Sequence, residues 1–186
     1  GWDIGIDDST AIWFAQTVGR EIHLIDYLEV NGKGLPEIVK MLKDKPYVYR
    51  DHYLPHDAGA RELGTGKTRQ ETLRELGLAH KERLVLVTKH KIEDGINAAR
   101  LLLPQCWFDS ESCDYGIEAL RNYEREYNAK EGVFKSRPRH NWASHGADAF
   151  RSLAMGYRPE EKRQSLAHMP REAEGVDYDL FGEDMI

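Results

Sequence analysis

The sequence has 186 residues, of which 40% are hydrophobic, and a formal net charge of -6. A chain of this length can bury a sizeable core without cross-links, and its two cysteines, Cys106 and Cys113, lack the partners that zinc sites need. No apolar stretch is long enough to span a bilayer. These features exclude a disulfide-rich scaffold and a membrane-spanning protein, and they predict an intracellular globular domain.

The negative charge is concentrated at the C-terminal end. Residues 172–186 contain six acids and no Lys or Arg, so the residues before them carry equal numbers of acids and bases. Bases cluster within 61–91 and 130–139, and such patches can bind phosphate whatever the net charge. Each patch taken alone is also compatible with an ordinary solvated face.

The first 30 residues predict three strands, at Trp2–Asp7, Ala11–Val18 and Glu21–Val30. The joins between them are short and contain turn residues, which favours an antiparallel meander. A helix over Leu35–Lys43 follows, because its apolar residues recur at helical spacing and Pro36 suits a first turn.

Strands and helices then alternate, which predicts a mixed α/β sheet flanked by helices. We expect one domain over 1–158, with a last helix at Ser144–Tyr157 that has Ser144 as its N-cap. Residues 159–186 are expected to form a flexible acidic tail. The remaining predicted elements are strands at Tyr47–Pro55, Leu84–Thr88 and Trp107–Phe108, helices at Gln70–Leu76, Ile92–Leu103 and Cys113–Tyr127, and a loop or hairpin at Lys130–Arg139.

Three aspartates in different parts of the chain suggest a metal site. Asp3 lies inside the first strand, Asp57 follows a β-rich run, and Asp148 lies between two alanines on the last helix, one turn after His145. Each has an ordinary alternative, such as a wet strand face or a turn. Together they would supply the oxygen ligands that Mg²⁺ or Mn²⁺ prefers, and two such ions can hydrolyse a phosphodiester.

Three segments resemble the nuclease domain of the large terminase subunit of tailed bacteriophages. They read GWDIG at 1–5, followed by DSTA at 8–11, then PHDA at 55–58, and WASHGADAFR at 142–151. The resemblance runs in order over about residues 1–157, and the last segment is its most specific part. It implies an RNase H-like fold, in which an antiparallel meander continues into parallel strands, and metal-dependent cleavage of concatemeric double-stranded viral DNA during genome packaging.

The resemblance also implies roles for individual residues. Asp3, Asp57 and Asp148 would hold two Mg²⁺ or Mn²⁺ ions, with Asp8 as a fourth ligand. His145 would orient water or contact phosphate, or would simply be a residue of the first helical turn. The two basic patches, and not the resemblance, supply the expected phosphate contacts, which are Lys67, Arg69, Lys135, Arg137 and Arg139.

The partners that the resemblance implies are double-stranded DNA, the portal, the small terminase subunit and an ATPase domain of the same large subunit, which is expected outside the present sequence. The setting would be the cytoplasm of the infected host. Residues 64–68, GTGKT, imitate a phosphate-binding loop, but Arg61 stands where the first glycine is required, which favours a basic loop near DNA.

Other interpretations remain open at this point. The domain could grip DNA or dock a capsid component without cutting, or it could be a resolvase or transposase of the same fold. His56 or His145 could ligate zinc in a hydrolase. The acidic tail could solubilise the chain, dock on the packaging machinery, or compete with DNA for the basic surface.

Overall fold

The computed structural model describes residues 1–5, 8–78 and 84–158. Strands β1 (Trp2–Asp3), β2 (Thr10–Val18) and β3 (Glu21–Val30) form the predicted antiparallel meander. Asp3 lies opposite Ala11 in the β1–β2 register.

The parallel pairing predicted after the meander is also present. β4 (His52–Leu54) pairs in parallel with β5 (Leu84–Leu86). β6 (Cys106–Phe108) adds in parallel to the outer edge of β3, so the four-stranded sheet has the order β1-β2-β3-β6. The prediction of a mixed sheet is therefore confirmed.

The helices cover this sheet. α1 is Leu35–Asp44, α2 is Arg69–Glu75, α3 is Ile92–Leu102, α4 is Asp114–Arg121 and α5 is Trp142–Gly156. α5 packs against α3, α4, β1 and β2, so most of its residues are buried. Among the described residues, no helix combines the length and apolarity that crossing a membrane requires.

Both faces of the sheet bury apolar side chains, because neighbouring residues of a strand point to opposite sides. Trp13 faces α5 and packs with Leu24 and Phe150. Ile12 and Phe14 face the other way, into a cluster with α1 residues. This explains why β2 opens with an unbroken buried run rather than an alternating one.

The predicted helix over Cys113–Tyr127 is wrong in its second half. α4 ends at Arg121, and β7 (Arg125–Asn128) pairs with β8 (Val133–Pro138) in an antiparallel hairpin. The pairing opposes Tyr127 to Phe134, with ring centroids 5.0 Å apart. This cross-strand contact overrides the helical spacing that Tyr127 continues.

The prediction that Ser144 caps the last helix is also wrong. Asn141 is the N-cap, and its side chain accepts a hydrogen bond from the Ala143 backbone N–H at 3.0 Å. Ser144 is buried inside the first turn, where its hydroxyl donates to the Asn141 carbonyl at 2.6 Å. With Asn141 as the N-cap, the helix begins at Trp142, two residues before the predicted start at Ser144.

One predicted strand is shorter in the structure, and two predicted segments lie outside the described residues. Within the β-rich run at Tyr47–Pro55, only His52–Leu54 forms a strand. Residues 6–7, which would end the first predicted strand, and the predicted tail at 159–186 lie outside the described residues.

Candidate functional site

Close packing of α5 on the sheet brings the last helix to the first strand. The Trp13 indole N–H, from β2, donates to the Gly146 carbonyl of α5 at 2.8 Å. A Cβ at Gly146 would lie 2.9 Å from the Tyr27 hydroxyl of β3 and 2.8 Å from the Ala119 Cβ of α4, so glycine permits this approach. The turn of α5 that carries His145 and Asp148 is therefore fixed against the sheet that carries Asp3.

His145 lies between two of the predicted metal ligands. Its Nε2 is 3.0 Å from Oδ1 of Asp8, and its Nδ1 is 3.6 Å from Oδ2 of Asp3, which is an ion-pair distance rather than a hydrogen bond. The His145 side chain is 8% exposed. The adjacent Asp3 carboxylate, assisted by the charge of Asp8, outweighs burial and raises the pKa of His145.

Asp8 is held by a second histidine as well. His140 Nε2 is 3.0 Å from Oδ2 of Asp8, and His140 Nδ1 is 3.0 Å from the Ser144 hydroxyl. Burial alone would raise the pKa of Asp8, but the hydrogen bond from the Ser9 backbone N–H and the nearby histidines lower it. Asp8 is therefore an ionised carboxylate at the edge of the site, with its side chain 43% exposed.

Asp148 occupies the inner side of the site. The Tyr123 hydroxyl donates to its Oδ1 at 3.3 Å, and Arg151 Nη1 lies 3.2 Å from the same oxygen. Burial raises the pKa of Asp148, and the negative charge of Asp3 raises it further against the opposing charge of Arg151. The Asp148 carboxyl is therefore harder to ionise than that of an exposed aspartate.

Asp57 is placed separately. It lies on a short 3₁₀ helix, His56–Gly59, directly after β4, and its side chain is 53% exposed. Arg69 Nη1 is 3.4 Å from Oδ2 of Asp57, and Arg69 Nε is 3.2 Å from a Glu62 oxygen. The structure thus brings Asp3, Asp8 and His145 together, with Asp148 one turn after His145 on α5. The partner of Asp57 within the described ranges is Arg69.

The described part of the chain contains no complete set of metal ligands. Within these ranges, no three or more His, Cys, Asp or Glu side chains are grouped as metal ligands. The carboxylates have the right chemistry, but Asp57 is turned to an arginine and Asp8 to two histidines. These ion pairs occupy the donors that a metal would use.

Three residues that contact the predicted site were not identified from the sequence. Arg151 stands within the resemblance segment at 142–151, one turn after Asp148, so its spacing could have revealed it. Tyr123 reaches Asp148 from the link between α4 and β7, and His140 precedes the α5 cap. Only the tertiary structure reveals those two contacts.

The bases expected to bind DNA are engaged within the chain. Lys67 pairs with Glu75, Lys135 and Arg137 pair with Glu126, and Arg139 pairs with Glu124. Arg69 differs from the others, since its side chain is only 10% exposed and it bridges Asp57 and Glu62. Arg69 is therefore better placed to hold Asp57 than to contact a phosphate.

The segment that imitates a phosphate-binding loop forms a tight turn. Arg61 bridges to Thr68 across it, and the Arg61 guanidinium donates to the Gly66 carbonyl at 2.6 Å. Thr68 then caps α2 by accepting from the Glu71 backbone N–H at 3.0 Å. A phosphate-binding loop instead joins a strand directly to a helix, so this segment has a structural explanation.

The fold is similar to that of solved nuclease domains of large terminases. The large terminase nuclease domain of bacteriophage SPP1, in a structure with bound Mn, is 18% identical, with a TM-score of 0.56 over 82% of this chain and 81% of that chain. The P22 large terminase nuclease domain is 18% identical, with a TM-score of 0.61 over 83% and 77% of the two chains. This chain has the fold of a terminase nuclease domain.

That similarity confirms the RNase H-like fold expected from the sequence. A large terminase of a thermophilic bacteriophage is 15% identical, with a TM-score of 0.57 over 82% of this chain, but this chain spans only 38% of that one. No protein-family model and no curated protein matches the sequence. At such low identity the neighbours establish the terminase nuclease fold, and the activity has to be argued from the site.

Proposed function

We propose that this chain is a metal-dependent endonuclease domain that cuts concatemeric double-stranded DNA during packaging of a viral genome. The observation that carries the proposal is the ion pair at 3.6 Å between Asp3, from the first strand, and His145, which stands one turn before Asp148 on the last helix, in a terminase nuclease fold.

The chemistry of the donors fits Mg²⁺ or Mn²⁺. Both ions prefer carboxylate oxygens, and a cation would favour the charged form of Asp148, whose pKa is raised by burial and by the charge of Asp3. The bound Mn of the SPP1 nuclease domain supports the same choice. Asp3, Asp57 and Asp148 would hold two ions with Asp8 as a further ligand, and bound ions of this kind activate water and stabilise the leaving oxygen.

The neighbouring residues position these acids. His145 holds Asp3 and Asp8 from one side, with its ring nitrogens 3.6 and 3.0 Å from their carboxylate oxygens. Arg69 holds Asp57 at the end of β4, anchored in turn by Glu62. We therefore propose that Arg69 supports the site rather than the DNA.

DNA would contact the hairpin of β7 and β8 through phosphates. Lys135, Arg137 and Arg139 lie on or just beyond β8, and each would exchange a glutamate partner for a phosphate oxygen. Lys67 would do the same in the turn before α2. Phosphate contacts position DNA without reading its sequence.

The proposed function also implies partners for this domain. The large terminase of the thermophilic bacteriophage is much longer than this chain. We propose that an ATPase domain of the same polypeptide drives packaging, with the portal and the small terminase subunit as partners in the cytoplasm of the infected host.

The test is plasmid cleavage with Mn²⁺ or Mg²⁺ by three single variants, Asp3→Asn, Asp57→Asn and Asp148→Asn. Each should abolish cleavage and leave the circular dichroism spectrum unchanged, because an amide cannot balance the metal charge. The matched control is Asp44→Asn, at an exposed aspartate at the end of α1, which should cut like the wild type. Retained cleavage in two of the three variants would refute the site, and Asp8→Asn should lose less.

A second candidate is a DNA-gripping or capsid-docking module that does not cut. It is favoured by the pairing of Asp57 with Arg69 and by the lack of a closed metal cluster among the described residues. Duplex binding without any nicking by the wild type in Mn²⁺ would select it. Cleavage confined to branched DNA would select a resolvase instead.

A further inference from the structure

We infer that Tyr123 and Arg151 form a two-donor clamp on Asp148 that positions its carboxylate for the ions of the proposed site. This inference rests on the proposed function. The three side chains form a closed triangle: both donors reach Oδ1 of Asp148, at 3.3 and 3.2 Å, and Arg151 Nη1 also donates to the Tyr123 hydroxyl at 3.4 Å.

The triangle has a consistent direction of donation. The single proton of the Tyr123 hydroxyl points to Asp148, and the oxygen accepts from Arg151. Each partner thus uses a different lone pair or proton, as a satisfied network requires. Removal of either donor leaves the other on a carboxylate that is free to turn.

Arg151 is held in place by its surroundings. Its side chain is 16% exposed and lies against α3, where a Cβ at Gly95 would be 3.0 Å from Arg151 Cδ. Its Nε is buried and has no hydrogen-bond partner within the described ranges. An unsatisfied buried donor costs stability, so the position of this guanidinium is better explained by what it does to Asp148 than by the stability of the fold.

Tyr123 reaches the site from outside the helix. It belongs to the short link between α4 and β7, two residues before the hairpin begins. The carboxylate is thereby tied both to its own helix, through Arg151, and to the base of the hairpin, through Tyr123.

The two carboxylate oxygens of Asp148 differ in their contacts. Within the described ranges, the hydrogen bond from Tyr123 and the ion pair with Arg151 both end on Oδ1 of Asp148. Two donors on one oxygen fix the rotation of the group and leave Oδ2 for an ion. Tyr123 and Arg151 are therefore positioning residues. Their loss should weaken the binding of Mn²⁺ even when DNA is absent.

The experiment measures Mn²⁺ binding by isothermal titration calorimetry, without DNA, for Tyr123→Phe, Arg151→Met and Arg151→Lys. Partners of this kind typically contribute 10–100-fold to metal affinity, so we expect a loss of about 10-fold or more for Tyr123→Phe and Arg151→Met. Arg151→Lys retains the charge and should recover part of the loss. Raising the Mn²⁺ concentration should restore cleavage by these variants but not by Asp148→Asn.

The controls are Tyr115→Phe, at a tyrosine that is 51% exposed, and Arg121→Met, at an arginine whose side chain is 70% exposed. Both should bind Mn²⁺ like the wild type. Wild-type affinity in Tyr123→Phe and Arg151→Met, together with loss in Asp148→Asn, would overturn the clamp alone. Wild-type affinity in Asp148→Asn would overturn the proposed metal site and the clamp with it. Because Tyr123→Phe removes one oxygen, it decides the question even if Arg151→Met does not fold.

Discussion

His52 makes the stability of this fold depend on pH. Its ring is 4% exposed, and Nδ1 accepts a hydrogen bond from the Trp2 indole N–H at 3.2 Å. Nε2 is buried without a hydrogen-bond partner among the described residues. Burial lowers the pKa of His52 from 6.5 to about 4. The folded protein therefore keeps this ring neutral at pH values where the unfolded chain protonates it.

The direction and size of the effect follow from this difference in pKa. As the pH falls below about 6.5 the unfolded chain binds a proton that the folded chain refuses, so stability is lost until the pH reaches about 4. At about 1.4 kcal/mol per pH unit, the full gap amounts to about 3 kcal/mol. About 2 kcal/mol of this should already be lost at pH 5.

Urea unfolding at pH 8 and pH 5, followed by circular dichroism, measures the loss. His52→Gln cannot protonate, so it should lose about 2 kcal/mol less than the wild type between the two pH values. The control is His23→Gln, at a side chain that is 37% exposed, which should lose as much as the wild type. An equal loss in His52→Gln and the wild type would refute the neutral buried ring.

Three further outcomes are expected. Gly146→Ala should lower the free energy of unfolding by about 1–3 kcal/mol, because the new Cβ would lie 2.8 Å from Ala119; Gly64→Ala, which meets open space, should change it by less than about 0.5 kcal/mol in the same urea titration. Cut sites mapped on a long duplex should be spread over many sequences, and a single dominant recognition sequence would contradict the phosphate contacts. If residues 172–186 compete with DNA, their deletion should tighten duplex binding at low salt, measured by fluorescence anisotropy, and leave it unchanged at high salt. Unchanged affinity at low salt would assign these acids another role.

The parts of the fold that the sequence predicted are those with local causes. The meander follows from β-rich runs with turns between them, and α1 follows from apolar spacing with a proline in its first turn. β7 was missed because Tyr123 and Tyr127 continue the helical spacing of α4, whereas its strand depends on Phe134 across the hairpin. The periodic pattern of α4 contains no sign of this pairing with the next strand.

The same distinction applies to the site. Asp3, Asp148 and His145 stand in recognisable segments, and the fold brings them together. The ion pair of Asp57 with Arg69 and the contact of Tyr123 with Asp148 each join residues from different elements. Arg69 illustrates the difficulty, because an arginine in a basic segment is expected at the surface and this one is buried.

The hydrogen bond between Trp13 and Gly146 also gives the protein an internal optical probe. Trp2 and Trp13 are 1% and 2% exposed, whereas Trp107 and Trp142 are 61% and 43% exposed. Iodide should quench the emission of the exposed pair and leave that of the buried pair. The residual blue-shifted emission then includes an indole whose N–H is bonded to the turn between His145 and Asp148, so a change in that turn can be followed in unlabelled protein.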